Sequence, residues 1–195
     1  NSKFLKQEKK ASVVSLLRDY IYEKLAYADK NKWRDFGIFL NWTPSKTRQW
    51  YEQELFKIAN ERIGASIDGV AQREVNYWNK IFITENISAD TNAFDFIISR
   101  TFFRPRDIIQ YVKSALEVAV SQNKSIIDKY VIEETDLKYG EWFKGELVDE
   151  LFPVIPEIQE IFNVLKINYK YVFFKKDIEN IFSRHKLTTK YSISE

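Results

Sequence analysis

Cysteine and methionine are both absent from this chain of 195 residues, and histidine occurs once, at His185. Without cysteine there is no disulfide, no thiol nucleophile and no thiolate-bound zinc, and one histidine cannot build a histidine metal site. Any metal chemistry would rest on carboxylates alone. No run approaches the ~18 consecutive apolar residues of a membrane helix, and the opening NSKFLKQEKK lacks the apolar centre of a signal peptide. A cytoplasmic chain without a membrane partner is therefore expected. The first residue is Asn1, so the chain is also expected to be a piece of a longer protein. Five glycines and four prolines are scattered, with no low-complexity tract and no repeat of solenoid period. A charge excess of one sign is missing too: 30 Lys and Arg face 28 Asp and Glu, for a net +2. No global field attracts nucleic acid or a basic partner, so recognition must come from local patches.

What is present is apolar and aromatic material, 45% and 16% of the residues, enough for a substantial core in one or two domains. The pattern predicts a mainly α chain, a helical bundle with a few short strands. ASVVSLL and GIFLNW read as short buried strands, and DYIYEKLAY has helical spacing through Ile21, Leu25 and Ala28. Thr43 as cap and Pro44 at the first helical position predict a helix carrying Trp50, Leu55, Ile58 and Ile63 and stopping at Gly64. Helices follow in REVNYWNKIF and NAFDFIISRTF. The best defined lies after Pro105, where Ile108, Ile109, Val112, Ala115, Leu116 and Ala119 make one apolar face. DKYVIEETDLKYGEWFKGELVDEL reads as a long helix weakened at Gly140 and Gly145, a place for a kink. Beyond FPVIP, helix PEIQEIFNVLK, strand YKYVFF and helix KKDIENIFSRHK resemble the start of a winged helix whose recognition helix and wing are missing.

Catalytic fingerprints are not found. Gly64 and Gly69 have the spacing of a phosphate-binding loop, but Val70 and Ala71 stand where Lys and Ser or Thr are needed. Serine hydrolase, zinc peptidase and dinucleotide motifs are absent as well. The carboxylates Glu133, Glu134, Asp149 and Glu150 fit a solvated helix face.

One stretch stands out, SRTFFRPRDIIQYV. Pro105 and Asp107 mark a helix start, yet Arg104 and Arg106 put two cations at an end where aligned peptide dipoles already leave about half a positive charge. A cation misplaced there costs roughly 0.3–1 kcal/mol. Asp107 alone cannot balance both guanidinium groups and the dipole, so another anion is expected. Phosphate is one, since helix N-termini bind it. Internal ion pairs with Asp95, Asp107 or Glu117 are the alternative.

Several segments, in order, resemble the C-terminal half of a family of bacterial P-loop ATPases of the AAA+/STAND type. They are VVSLLRDYIYEKLAYADKNKWRD, FLNW followed by a helix ending in ANERIG, YWNKIF, and FDFIISRTFFRPRDIIQYVKSALEVA, covering roughly residues 11 to 150. The resemblance implies that residues 1–42 are the end of an ATPase core, 43–150 a helical lid and 151–195 a truncated winged-helix module. It implies that Arg104, Arg106 and Arg18 sense nucleotide phosphates, with Asp107 and Lys32 in support, and an arginine fork suits phosphate oxygens. ATP and magnesium would belong to the parent protein, because the phosphate loop and the magnesium-binding acids are not in this sequence. The implied function is a lid or regulatory part of an ATPase, partnered with an upstream core and without a complete hydrolytic site or a catalytic residue of its own. A second reading is a helical interaction module that binds nucleic acid or a protein through Lys170, Lys175, Lys176 and Arg184. Homo-oligomerisation is a third.

Overall fold

The helix after Pro105 organises the molecule. A computed structural model of the chain describes residues 15–16, 37–72, 74–88, 90–168 and 172–184. By its contacts the chain divides into two units, Asn1–Asn41 and Trp42–Glu195. Among its described residues the second contains a 3-10 turn at Trp50–Glu52 and seven α-helices: α1 (Glu54–Asp68), α2 (Trp78–Ile81), α3 (Ala93–Ile98), α4 (Pro105–Ser121), α5 (Lys129–Leu151), α6 (Ile158–Ile167) and α7 (Lys175–Arg184).

Local chemistry sets the helix ends. Asn92 and Asp128 cap α3 and α5, their side-chain oxygens accepting from the N–H groups of Asp95 and Val131 at 2.9 and 3.0 Å. Pro105 opens α4, which has no side-chain cap at Arg104. The same helix closes on Asn123, whose φ of 54° is left-handed, with Lys124 N–H returning to the Ala119 carbonyl at 2.9 Å. This is a Schellman ending. The helix α1 closes on Gly69, where φ is 77°.

The core lies where α4 packs against α5 on one side and α1 on the other. Ile108, Val112, Ala115 and Ala119 of α4 are buried as the periodicity requires, while Leu116 is 39% exposed and Ile109 intermediate. The connection between α4 and α5, residues 122–128, is short and turns the two helices antiparallel: Glu117 meets Lys138, and Gln122 meets Glu134. An aromatic cluster fills the other end. Trp78 stacks on Phe82 at 3.9 Å, and Phe94 meets Phe56 edge to face at 5.4 Å.

The expected strands are not there, nor is the winged helix: among the described residues there is no strand, only isolated bridges such as Phe82 with Ile127. Reading an apolar run as a strand presumes that it is buried beside a neighbouring strand. Ile38 and Leu40 of GIFLNW are instead 88% and 65% exposed. In YKYVFF the described residues, 172–174, form the entry to α7. Phe174 N–H donates to the Asp177 carboxylate at 3.1 Å, and the Phe174 carbonyl accepts from Asp177 and Ile178. With no strand among the described residues between α6 and α7, the winged-helix beginning dissolves. Of ASVVSLL, Ser15 and Leu16 are described and have no regular structure; the rest lies outside the described residues. Two helix boundaries also move. Residues 45–48 make a turn knitted by Gln53, whose side chain accepts from Ser45 N–H at 2.9 Å and donates to the Ser45 and Arg48 carbonyls, so α1 starts after that residue. Gly64 does not end α1; it lies inside it. The helix α5 runs unbroken through Gly140 and Gly145.

Candidate functional site

The loop from α3 to α4 is wound tightly enough to aim the side chains that leave it. Buried Thr101 donates its hydroxyl to the Ile98 carbonyl at 2.9 Å and accepts from Phe103 N–H at 3.1 Å. Phe103 has φ 56°, a left-handed conformation that costs a bulky residue about 1–2 kcal/mol. Strain of this kind persists only where surrounding contacts over-determine it. Asp107 supplies another such contact, reaching back from the first turn of α4 to accept from Phe102 N–H at 3.1 Å.

Arg104 emerges from this loop and forms a two-pronged pair with Glu150 of α5, at 2.7 and 3.3 Å. Arg106 pairs with Glu146 at 2.8 Å, one turn earlier on α5. A third arginine of the same stretch, Arg100, meets Asp136 of α5 at 3.1 Å. The stretch is thus fastened to α5 by three arginine–carboxylate links. The anions demanded by the α4 dipole and its arginines are therefore Glu146 and Glu150, together with Asp107. Asp95 instead accepts from Asn92, and Glu117 takes Lys138.

Exposure separates these groups. The Arg104 and Arg106 side chains are 41% and 58% exposed, whereas Asp107 is 1% exposed. Hydrogen bonding to Glu150 raises the Arg104 pKa above its ordinary value. Burial pushes the Asp107 carboxyl up, against the opposing pull of Phe102 N–H, Arg104 and Arg106. Behind it, Tyr111 donates to Asp136 at 3.1 Å, and burial followed by that carboxylate pushes its phenol well up. The neighbouring Tyr139 hydroxyl is buried without a hydrogen-bond partner.

The sequence singles out Arg104, Arg106 and Asp107, and the structure brings these three together. Arg18, Lys32 and Lys170 lie outside the described residues. Lys175, Lys176 and Arg184 are exposed on α7, but Asp177 and Glu179 share that helix and leave it a single net positive charge. Sequence reasoning missed Arg100, Asp136, Glu146 and Glu150. The signal for the last two was available: carboxylates four apart share a helix face, and a short connection places the end of α5 opposite the start of α4.

Chemically the arrangement offers two partly exposed guanidinium groups and no nucleophile–base pair. Among the described residues no three His, Cys, Asp or Glu side chains are grouped to hold a metal ion. An open depression of about 460 Å³ lies elsewhere, lined by Arg48, Tyr51, Glu52, Glu54 and Lys57. No helix among the described residues is long and apolar enough to cross a membrane.

No curated protein and no solved structure matched the chain. A family model described as the FunZ-associated C-terminal helical domain matches residues 53–148, just under half of the 195 residues. The matched span runs from the residue before α1 nearly to the end of α5, and takes in Arg104, Arg106 and Glu146 but not Glu150.

Proposed function

We propose that the chain is the C-terminal helical regulatory part of a cytoplasmic P-loop ATPase, in which Arg104 and Arg106 exchange between carboxylates of α5 and the phosphates of a nucleotide. One observation carries the reading: both guanidinium groups are paired, yet both remain about half exposed. Ion pairs at such exposure contribute about 0–1 kcal/mol. A triphosphate offers more charge and a geometry suited to the arginine fork, so the exchange costs little and favours the nucleotide. The strained turn at Phe103 supports the same reading, since it fixes where Arg104 leaves the backbone. The matched family is described as a FunZ-associated C-terminal helical domain, and an appended helical part is what this reading calls for.

In this reading the chain holds phosphate oxygens only. Magnesium finds no ligand set among the described residues and would be held by the upstream core, which also performs the hydrolysis. Regulation then arises from a difference in affinity of the arginines for triphosphate and diphosphate. In the full-length protein, Arg106→Ala is expected to lower ATP turnover by roughly 100- to 1,000-fold while moving the melting temperature little. Glu146→Gln frees Arg106 and is expected to tighten nucleotide binding. Unchanged turnover in Arg106→Ala, or unchanged affinity in Glu146→Gln, rejects the reading.

A further inference from the structure

The helix α5 is built in two unlike halves. All of its buried residues, Val131, Ile132, Thr135 and Tyr139, lie in the first half. From Gly140 onward no residue is buried, and two glycines weaken the helix. Neither glycine is required by packing, because a side-chain carbon added at Gly140 or Gly145 would meet nothing within 4 Å. The second half is held down by Glu146 and Glu150, paired with Arg106 and Arg104, and near its root by Trp142 and Phe143, which pack partly buried against the core, the Phe143 ring 4.9 Å from that of Phe102. It also bears α6, with Lys144 lying 5.8 Å from the Phe162 ring.

We infer that residues 140–151 form a hinged arm, flexing at Gly140 and Gly145 and latched to the start of α4 by Arg104 and Arg106. In the latched state described here the arm continues the helix. When the arginines are drawn off, the arm loses its ion-pair attachments and keeps only the packing of Trp142 and Phe143 near its root, while residues 129–139 stay anchored. Anything that captures the two guanidinium groups is thereby converted into displacement of α6. The inference stands whatever the captured anion is.

Hydrogen exchange on the 195-residue chain, read by mass spectrometry for peptides covering 129–139 and 141–151, tests it without any ligand. Amides in the second half should exchange at least about tenfold faster than those in the first, as local opening requires. Arg104→Ala with Arg106→Ala should accelerate the second half by about tenfold more and leave the first half unchanged. Gly140→Ala with Gly145→Ala, which strengthens the helix, should slow the second half by roughly 30-fold. Equal exchange in the two halves of the unaltered chain overturns the hinge. Equal acceleration of both halves by the arginine substitutions overturns the latch, and no slowing by the alanines removes the glycines from the device.

Discussion

Tyr139 and Asp107 sit a few side chains apart at the α4–α5 interface, and neither is well matched to its surroundings. The Tyr139 hydroxyl is buried without a partner, its ring packed 4.8 Å from Tyr111 and 5.5 Å from Phe143. An unmade buried hydrogen bond costs about 1–3 kcal/mol. Tyr139→Phe keeps the ring contacts and is expected to raise stability by about 1 kcal/mol, a melting-temperature gain of roughly 2–4 °C. A drop on calorimetry would mean that the hydroxyl has a partner in solution. Asp107 gives a pH signature. Its pKa is raised in the fold, chiefly by burial, so the folded state holds its proton more tightly than the unfolded chain. Stability from this group is therefore fully present below the unfolded pKa of about 3.9 and declines as pH rises through the higher folded value. Asp107→Asn retains an oxygen for Phe102 N–H and removes the buried charge. Denaturation curves should show the variant gaining on the parent chain as pH rises from about 4 toward neutrality. A variant that loses ground over that range would contradict the assignment.

At the scale of elements, the glycine within α1 and the one that follows it differ in role. Gly69 has a positive φ and ends the helix, but Gly64 lies within it under the Tyr77 ring. A side-chain carbon at Gly64 would stand 2.5 Å from Tyr77 Cε2 and 2.9 Å from Ala71 Cβ. Gly64→Ala is accordingly expected to destabilise by about 1–3 kcal/mol, outweighing the gain of about 1 kcal/mol in helix propensity. Chemical denaturation checks the sign, which should oppose that of Gly140→Ala. The contrast also marks what was legible. The course of α4 followed from Pro105, Asp107 and the three- and four-residue apolar spacing, all local signals. The stop expected at Gly64 was misplaced because that glycine serves the close approach of Tyr77, which arrives from outside the helix, and not a chain reversal. Thr43 and Pro44 resembled a helix start, but Gln53 ties up the turn between them and α1 by contacts that no local pattern reveals.

Across the whole second unit, half of the candidate site was readable and half was not. Arg104 and Arg106 declared themselves by an electrostatic misfit within six residues of chain. Their partners Glu150 and Glu146 lie 46 and 40 positions further on, and required the register of an antiparallel helix pair. The strands failed for a related reason. Apolar and aromatic runs such as GIFLNW say nothing of whether a neighbouring strand exists to pair with. Left-handed residues bracket α4 at both ends, Phe103 before it and Asn123 after it. Such residues reverse the chain just beyond each cap, and between them α4 is gripped by packing against α5 and α1. In mechanical terms α4 is the stator of this assembly, and any motion transmitted through Arg104 must be taken up by the helices facing it.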